Sequence, residues 1–260
     1  MLRMKKVKDR HKRKSIIYVN FAQYENVGRI LDFFREQFPV VIQFSYDHLR
    51  LKRGGPSTFL RVYENGMLVK EVKLIRLAVP DLLRFPSLPL LAFLMIVQTI
   101  WHTLILKRTY RTFDFFVTLD AFSAQIGTVL KKLGLVKKVI FWVGDYFPLN
   151  YPEWRMRLLR WIYWKFDKPS MQGADRLLFT NRRLVKLYND MGILPRSKHY
   201  AVLPIGTKPQ PYLLRRENCV IGFLGMIKNS QGLELIFDIL PKLFREVRGA
   251  KVEIVGSGPQ

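Results

Sequence analysis

The apolar pattern of the chain predicts an α/β fold: a doubly wound, mostly parallel sheet followed by the first βαβ unit of a second sheet of the same kind. Three observations carry this. Short apolar runs alternate with segments of helical periodicity, as in parallel strands covered by helices on both faces. Near the end of the chain, Ile236, Ile239, Leu240, Leu243, Phe244 and Val247 keep the i, i+3, i+4, i+7, i+8, i+11 spacing of one buried helix face. That helix stands between the run Cys219 to Gly225 and a run ending Val255-Gly-Ser-Gly-Pro-Gln260, each closed by glycines. In open parallel sheets, ligands bind at such carboxyl edges.

Each element follows in order. A basic leader at 1–14 precedes a buried strand at Ile16 to Phe21, a loop at Ala22 to Asn26, and a helix with Val27, Ile30, Leu31 and Phe34 on its apolar face. Val40 to Phe44 is the next strand. Thr58 to Tyr63 and Met67 to Leu74 alternate around Asn65-Gly66, the dipeptide that best accepts a type I′ turn, and predict a hairpin. The longest apolar stretch, Leu90 to Leu106, contains Gln98, Thr99, His102 and Thr103 and falls short of the roughly 20 apolar residues that span a bilayer. It reads as a buried crossover helix, with a helix lying against a membrane interface as the alternative. A strand at Asp114 to Leu119, a helix from Ala121 to Leu133, and a strand at Val139 to Val143 come next. After the aromatic and basic segment Tyr151 to Lys168, a strand at Arg176 to Phe179, a helix through Asn181 to Met191 and a strand at Tyr200 to Leu203 finish the first sheet.

The first domain therefore covers 15–204. The proline-punctuated stretch 205–217 is the linker, and 218–260 begins a second domain. Two parallel strands bury too little to stand alone, so the second domain is expected to be incomplete as the chain stands.

Composition narrows the partners. Lys and Arg number 44 against 20 Asp and Glu, a formal charge of +24, which favours polyanions such as anionic lipid headgroups, nucleic acid or phosphorylated substrates. The single cysteine, Cys219, reads as lying inside an apolar strand; no disulfide framework or metal-ligand spacing is present, and a reducing compartment is implied. The run after the leader is too short and polar for a secretory signal. In Tyr151 to Lys168 the basic residues do not gather on one helical face. Trp154, Arg157, Trp161 and Trp164 are nevertheless candidates for membrane contact, since Trp favours the bilayer interface; core packing is the alternative, and stacking on single-stranded nucleic acid a weaker one.

Three segments, in this order, resemble the retaining glycosyltransferases of family 4, whose two facing Rossmann-like domains define the GT-B type. The first is Asp114-Phe-Phe-Val-Thr-Leu-Asp-Ala-Phe-Ser123 through Val143-Gly-Asp-Tyr-Phe-Pro148. The second is Gly173-Ala-Asp-Arg-Leu-Leu-Phe-Thr-Asn181 with Leu203-Pro-Ile-Gly-Thr207. The third is Gly222-Phe-Leu-Gly225 through Gln231-Gly232-Leu233 and Val255-Gly-Ser-Gly-Pro259. The resemblance covers almost the whole chain. It implies a GT-B N-terminal domain on the acceptor side and the start of a donor-binding domain. It also implies sugar transfer from a nucleotide-sugar to a lipid-linked or polysaccharide acceptor, with retained configuration and no metal or further cofactor.

The resemblance places Asp120 and Asp145 as catalytic candidates, Asp120 standing where many members carry a histidine. For each, the alternative is local: a helix N-cap for Asp120 and a turn for Asp145. The donor diphosphate would meet Gly225, Lys228, Gln231, Gly232, Gly256 and Gly258, because a glycine-ended strand and a helix amino end present N–H groups to phosphate. Met226 and Gln231 stand where the family commonly has arginine and lysine, so Lys228 is the cation in reach. The family's glutamate pair for donor sugar and ribose would fall beyond Gln260. The excess charge and the Trp-rich segment suit a cytoplasmic enzyme, peripheral on the inner face of an anionic membrane. Rival readings are a nucleotide-sugar epimerase of the same architecture and a non-catalytic basic protein that binds membrane or nucleic acid.

Overall fold

The computed structural model describes residues 14–20, 29–46, 58–77, 79, 87–144, 154–195, 199–204, 219–227 and 232–257. The chain divides into two compact units, Met1–Thr207 and Lys208–Gln260.

The first unit is α/β. Its elements are β1 (Ser15–Asn20), α1 (Ile30–Gln37), β2 (Val40–Ser45), β3 (Phe59–Glu64), β4 (Met67–Lys73), α2 (Leu88–Tyr110), β5 (Phe113–Thr118), α3 (Ala121–Lys132), β6 (Val136–Val143), α4 (Trp154–Gly173), β7 (Arg176–Phe179), α5 (Arg182–Asp190) and β8 (Tyr200–Val202). The strands form one sheet in the order β4-β3-β2-β1-β5-β6-β7-β8. Six strands are parallel, while β3 and β4 add an antiparallel hairpin at one edge. Asn65 and Gly66 both take positive φ, 50° and 80°, as a type I′ turn requires, and the Arg35 guanidinium donates to the Gly66 carbonyl at 2.8 Å.

One face of the sheet is covered by α2, α3, α4 and α5, with Ile17, Phe44, Val62, Phe116, Phe141 and Phe179 among the strand residues buried beneath them. The other carries α1, whose Leu31 and Phe34 pack on Ile16, Tyr18 and Val41. Glycine lets the helices approach closely: a Cβ on Gly127 of α3 would lie 2.5 Å from the Phe116 ring.

Helix α2 links β4 to β5, so it is the expected crossover, but it is longer than the apolar stretch suggested and buried on one face only. Leu91, Met95, Gln98, Thr99, Thr103 and Leu106 face the sheet, while Leu90, Phe93, Val97, Trp101 and Leu104 face outward. Among the described residues it is one helix long and apolar enough to cross a membrane by length and composition. Two of its inner polar residues, Gln98 and Thr99, are bonded within the protein. Gln98 receives the Ile75 N–H at 2.6 Å and donates to the Ile75 carbonyl at 3.1 Å, and the Thr99 and Tyr46 hydroxyls are 2.7 Å apart.

The second unit contains β9 (Val220–Met226), α6 (Leu233–Glu246) and β10 (Lys251–Ser257), with β9 and β10 parallel. Two readings of this region are corrected. Cys219 precedes β9 and is exposed, rather than lying inside the strand. Lys251 and Glu253 break the apolar run of β10, and Leu224 and Val255 remain largely exposed, so these strands are not covered by helices on both faces. The first helix begins at Ile30; Val27 lies outside the described residues, as does the linker 205–217.

Candidate functional site

The sheet order creates a crevice before any side chain is considered. From β1 the chain moves through α1 to β2 on one side, whereas β5, on the other side of β1, leads outward through β6 and β7 to β8. The winding reverses between β1 and β5, and at such a switch point the two carboxyl ends diverge and leave room for a ligand.

Polar residues end the strands along this edge. Asn20 closes β1, Ser45 closes β2, Thr118 closes β5, and Thr180 and Asn181 follow β7. Asn20, Ser45 and Thr118 are buried. The sequence alone assigns none of these three a role. Their signal is positional: each is the polar last residue of its strand, and only the strand order brings them together.

Asp120 stands two residues beyond β5, beside the switch point. It is the N-cap of α3 in extended conformation. Its Oδ1 accepts the Ser123 backbone N–H at 2.8 Å and its Oδ2 accepts the Ser123 hydroxyl at 2.8 Å. The adjoining turn is held by α4, since the Ala121 N–H donates to the Tyr163 hydroxyl at 3.2 Å and the Ser170 hydroxyl donates to the Ala121 carbonyl at 2.7 Å. Burial, then the charges of Asp167 and Asp120, push the Tyr163 hydroxyl well above its ordinary range. A neutral phenol therefore sits at the start of α3.

Behind this joint lies a buried ion pair. Arg160 approaches Asp167 at 3.6 Å, the Tyr188 hydroxyl donates to the same carboxylate at 3.3 Å, and the Arg160 guanidinium lies 4.7 Å from the Trp164 ring centre. Burial pushes the Asp167 carboxyl up to about 7, against the opposing pull of Arg160 and Tyr188. Two further acids occupy the amino edge of the sheet. Asp114 accepts from the Ser15 N–H and Lys137, and Asp175 from the Val139 N–H and Lys131. Their partners make them structural.

In the second unit, Gly225 and Gly256 are direct partners across the β9–β10 ladder. A Cβ on Gly256 would collide with the Gly225 carbonyl oxygen, so this glycine is required by packing as well as available to a ligand. Gly232 takes φ 72° immediately before α6, a left-handed conformation that suits glycine. Asp145, Lys228, Gln231 and Gly258 lie outside the described residues.

Trp154, Arg157, Trp161 and Trp164 are all exposed on α4. The basic residues of this helix do not all gather on one face, since Arg160 is buried against Asp167, but Arg157, Lys165 and Lys168 are exposed along the outward stripe of Trp154 and Trp161. An open cleft of about 560 Å³ lies beside the edge strand β8, lined by Arg182, Lys186, Leu194 and Tyr200 among others. It is three strands away from β5 and does not include Asp120. No protein-family model and no curated protein matches the chain.

Proposed function

We propose that this protein transfers a sugar from a nucleotide-sugar to a hydroxyl acceptor on a lipid-linked or polysaccharide chain, with retained configuration. The observation that carries this reading is the polar carboxyl edge at the β1–β5 switch point, in a chain that continues into a separate βαβ unit with paired glycines at its strand ends. The acceptor is assigned to the first unit. There Asp120, held at the start of α3 beside the switch point, orients the attacking hydroxyl and accepts its proton. The donor is assigned to the second unit, with Gly225, Gly256 and the amino end of α6 at Gly232 facing the diphosphate and Lys228 supplying charge.

The test is a panel of nucleotide-sugars offered to the full chain with lipid-linked and oligosaccharide acceptors, monitoring nucleoside diphosphate release and the anomeric configuration of the product. One donor is expected to bind and turn over with retention. Failure of every donor to bind by calorimetry overturns the reading, and conversion of a donor without any acceptor replaces it with epimerisation.

A further inference from the structure

Helix α2 has the polarity of a soluble protein's helix turned inside out. Its glutamine and two of its threonines, Gln98, Thr99 and Thr103, face the sheet, and Thr99 and Thr103 are fully buried. Phe93 and Trp101 face outward, each 62% exposed, in line with Leu90, Val97 and Leu104. These positions recur every three or four residues and form one stripe about 20 Å long at 1.5 Å per residue. A helix apolar on all sides belongs in a core or in lipid, and the sheet covers only one side of this one.

The charges around the stripe identify the cover. Helices α2 and α3 contain no acidic residue, and the single acid of α4, Asp167, is buried against Arg160. The outer surface of these three helices therefore displays Lys107, Arg108, Lys132, Arg157, Lys165 and Lys168 with no exposed Asp or Glu among the described residues. Helix α3 packs against both α2 and α4, so the apolar stripe and the Trp and Lys stripe of α4 belong to one layer and both face away from the sheet. A second copy of this chain is disfavoured as the occupant, since each copy would bring the same acid-free face and a formal charge of +24. A soluble polyanion would match the charge and leave the apolar stripe wet.

We propose that the α2–α3–α4 layer docks on an anionic lipid bilayer, with Phe93, Val97, Trp101 and Leu104 entering the boundary between headgroups and acyl chains and the surrounding Lys and Arg meeting lipid phosphates. Interfacial helices combine these features, burying an apolar face to a depth of roughly 5–10 Å and drawing on acidic lipid for the remainder. The inference rests on the sequence-based expectation of a peripheral membrane protein, to which it assigns a face, and does not require sugar transfer. It also gives α2, rather than α4 alone, the inserting side chains.

The test is flotation of the full chain with vesicles of phosphatidylcholine alone or mixed with phosphatidylglycerol. Wild-type protein is expected to float with the mixed vesicles only, and Phe93→Ser/Trp101→Ser to lose roughly tenfold or more of that binding with an unchanged melting temperature. Arg157→Glu/Lys165→Glu is expected to weaken binding and reduce its salt dependence, whereas Leu235→Ser/Phe237→Ser, on exposed positions of α6, leaves it intact. Equal flotation of wild type and Phe93→Ser/Trp101→Ser overturns the proposal. So does equal binding to neutral vesicles, or concentration-dependent dimerisation that the same double substitution abolishes. Nucleotide-sugar binding by these variants separates the two readings: donor binding without flotation overturns only the docking face, and flotation without donor binding only the sugar transfer.

Discussion

Asp120 accepts a backbone N–H through one carboxylate oxygen and a hydroxyl through the other, so the cap and the chemistry can be parted by changing a single atom. Asparagine keeps an oxygen for the Ser123 N–H and is nearly as good a cap, but its amide cannot take a proton from an acceptor hydroxyl. Asp120→Asn is expected to melt close to wild type and to lose about a hundredfold or more in kcat, within the range of about 10² to 10⁴ for a lost general base. Asp120→Ala loses the cap as well and should cost about 1 kcal/mol of stability. Turnover of the Asn variant equal to wild type would leave Asp120 as a cap alone. The cap was legible beforehand, because an aspartate just ahead of an apolar helix has a local preference. The surrounding rim was not, since Asn20, Ser45 and Thr118 come from strands distant in sequence that only the strand order aligns.

Elements whose signals are local were read most closely. The Asn65-Gly66 turn fixed the β3–β4 hairpin because both residues tolerate positive φ, and Asn181 sits where a cap should, accepting the Leu184 N–H at 2.9 Å. Helix α2 was read less well for a physical reason. Gln98 and Thr99 look like solvent-facing residues in a hydropathy profile, yet their partners, Ile75 and Tyr46, lie 23 and 53 residues away and turn them inward. In α4 the same difficulty arises from Arg160, a basic residue hidden by a buried partner seven positions on. Close packing of α3 provides a contest of signs at Gly127. Alanine is worth about 1 kcal/mol over glycine in an exposed helix, but here its Cβ would press on the buried ring of Phe116 and on Val139. Overpacking of that kind typically costs about 1–3 kcal/mol. Gly127→Ala is therefore expected to lower the melting temperature, and a rise would show that α3 can shift away from β5 with little strain.

The two units differ sharply in the core each carries. The first holds almost all of the buried apolar side chains, on both faces of an eight-stranded sheet, with β1, β5 and β6 near its middle. In the second, Leu233 is the buried hydrophobic residue among those described, and Leu224 on β9 is 83% exposed. The helical periodicity that announces α6 records which residues turn toward the strands, but it does not measure how deeply they are covered; Ile239 and Phe244 share that pattern and remain exposed. Opening free energies within one protein range from near zero to the global value, and they follow the buried apolar contacts that each segment loses. Amides of β9 and β10 are accordingly expected to exchange with solvent deuterons at least roughly a hundredfold faster than those of β5 and β6, a ratio that corresponds to about 3 kcal/mol less protection. Hydrogen exchange read peptide by peptide checks this in the full chain. If the second unit binds the diphosphate of a nucleotide-sugar, saturating donor should slow exchange in β9 and at the start of α6 while leaving β5 unchanged, because a ligand stabilises the segment it binds in its closed form. Protection of β9 equal to that of β5 without any ligand would mean that the second unit shares the cooperative unfolding of the first.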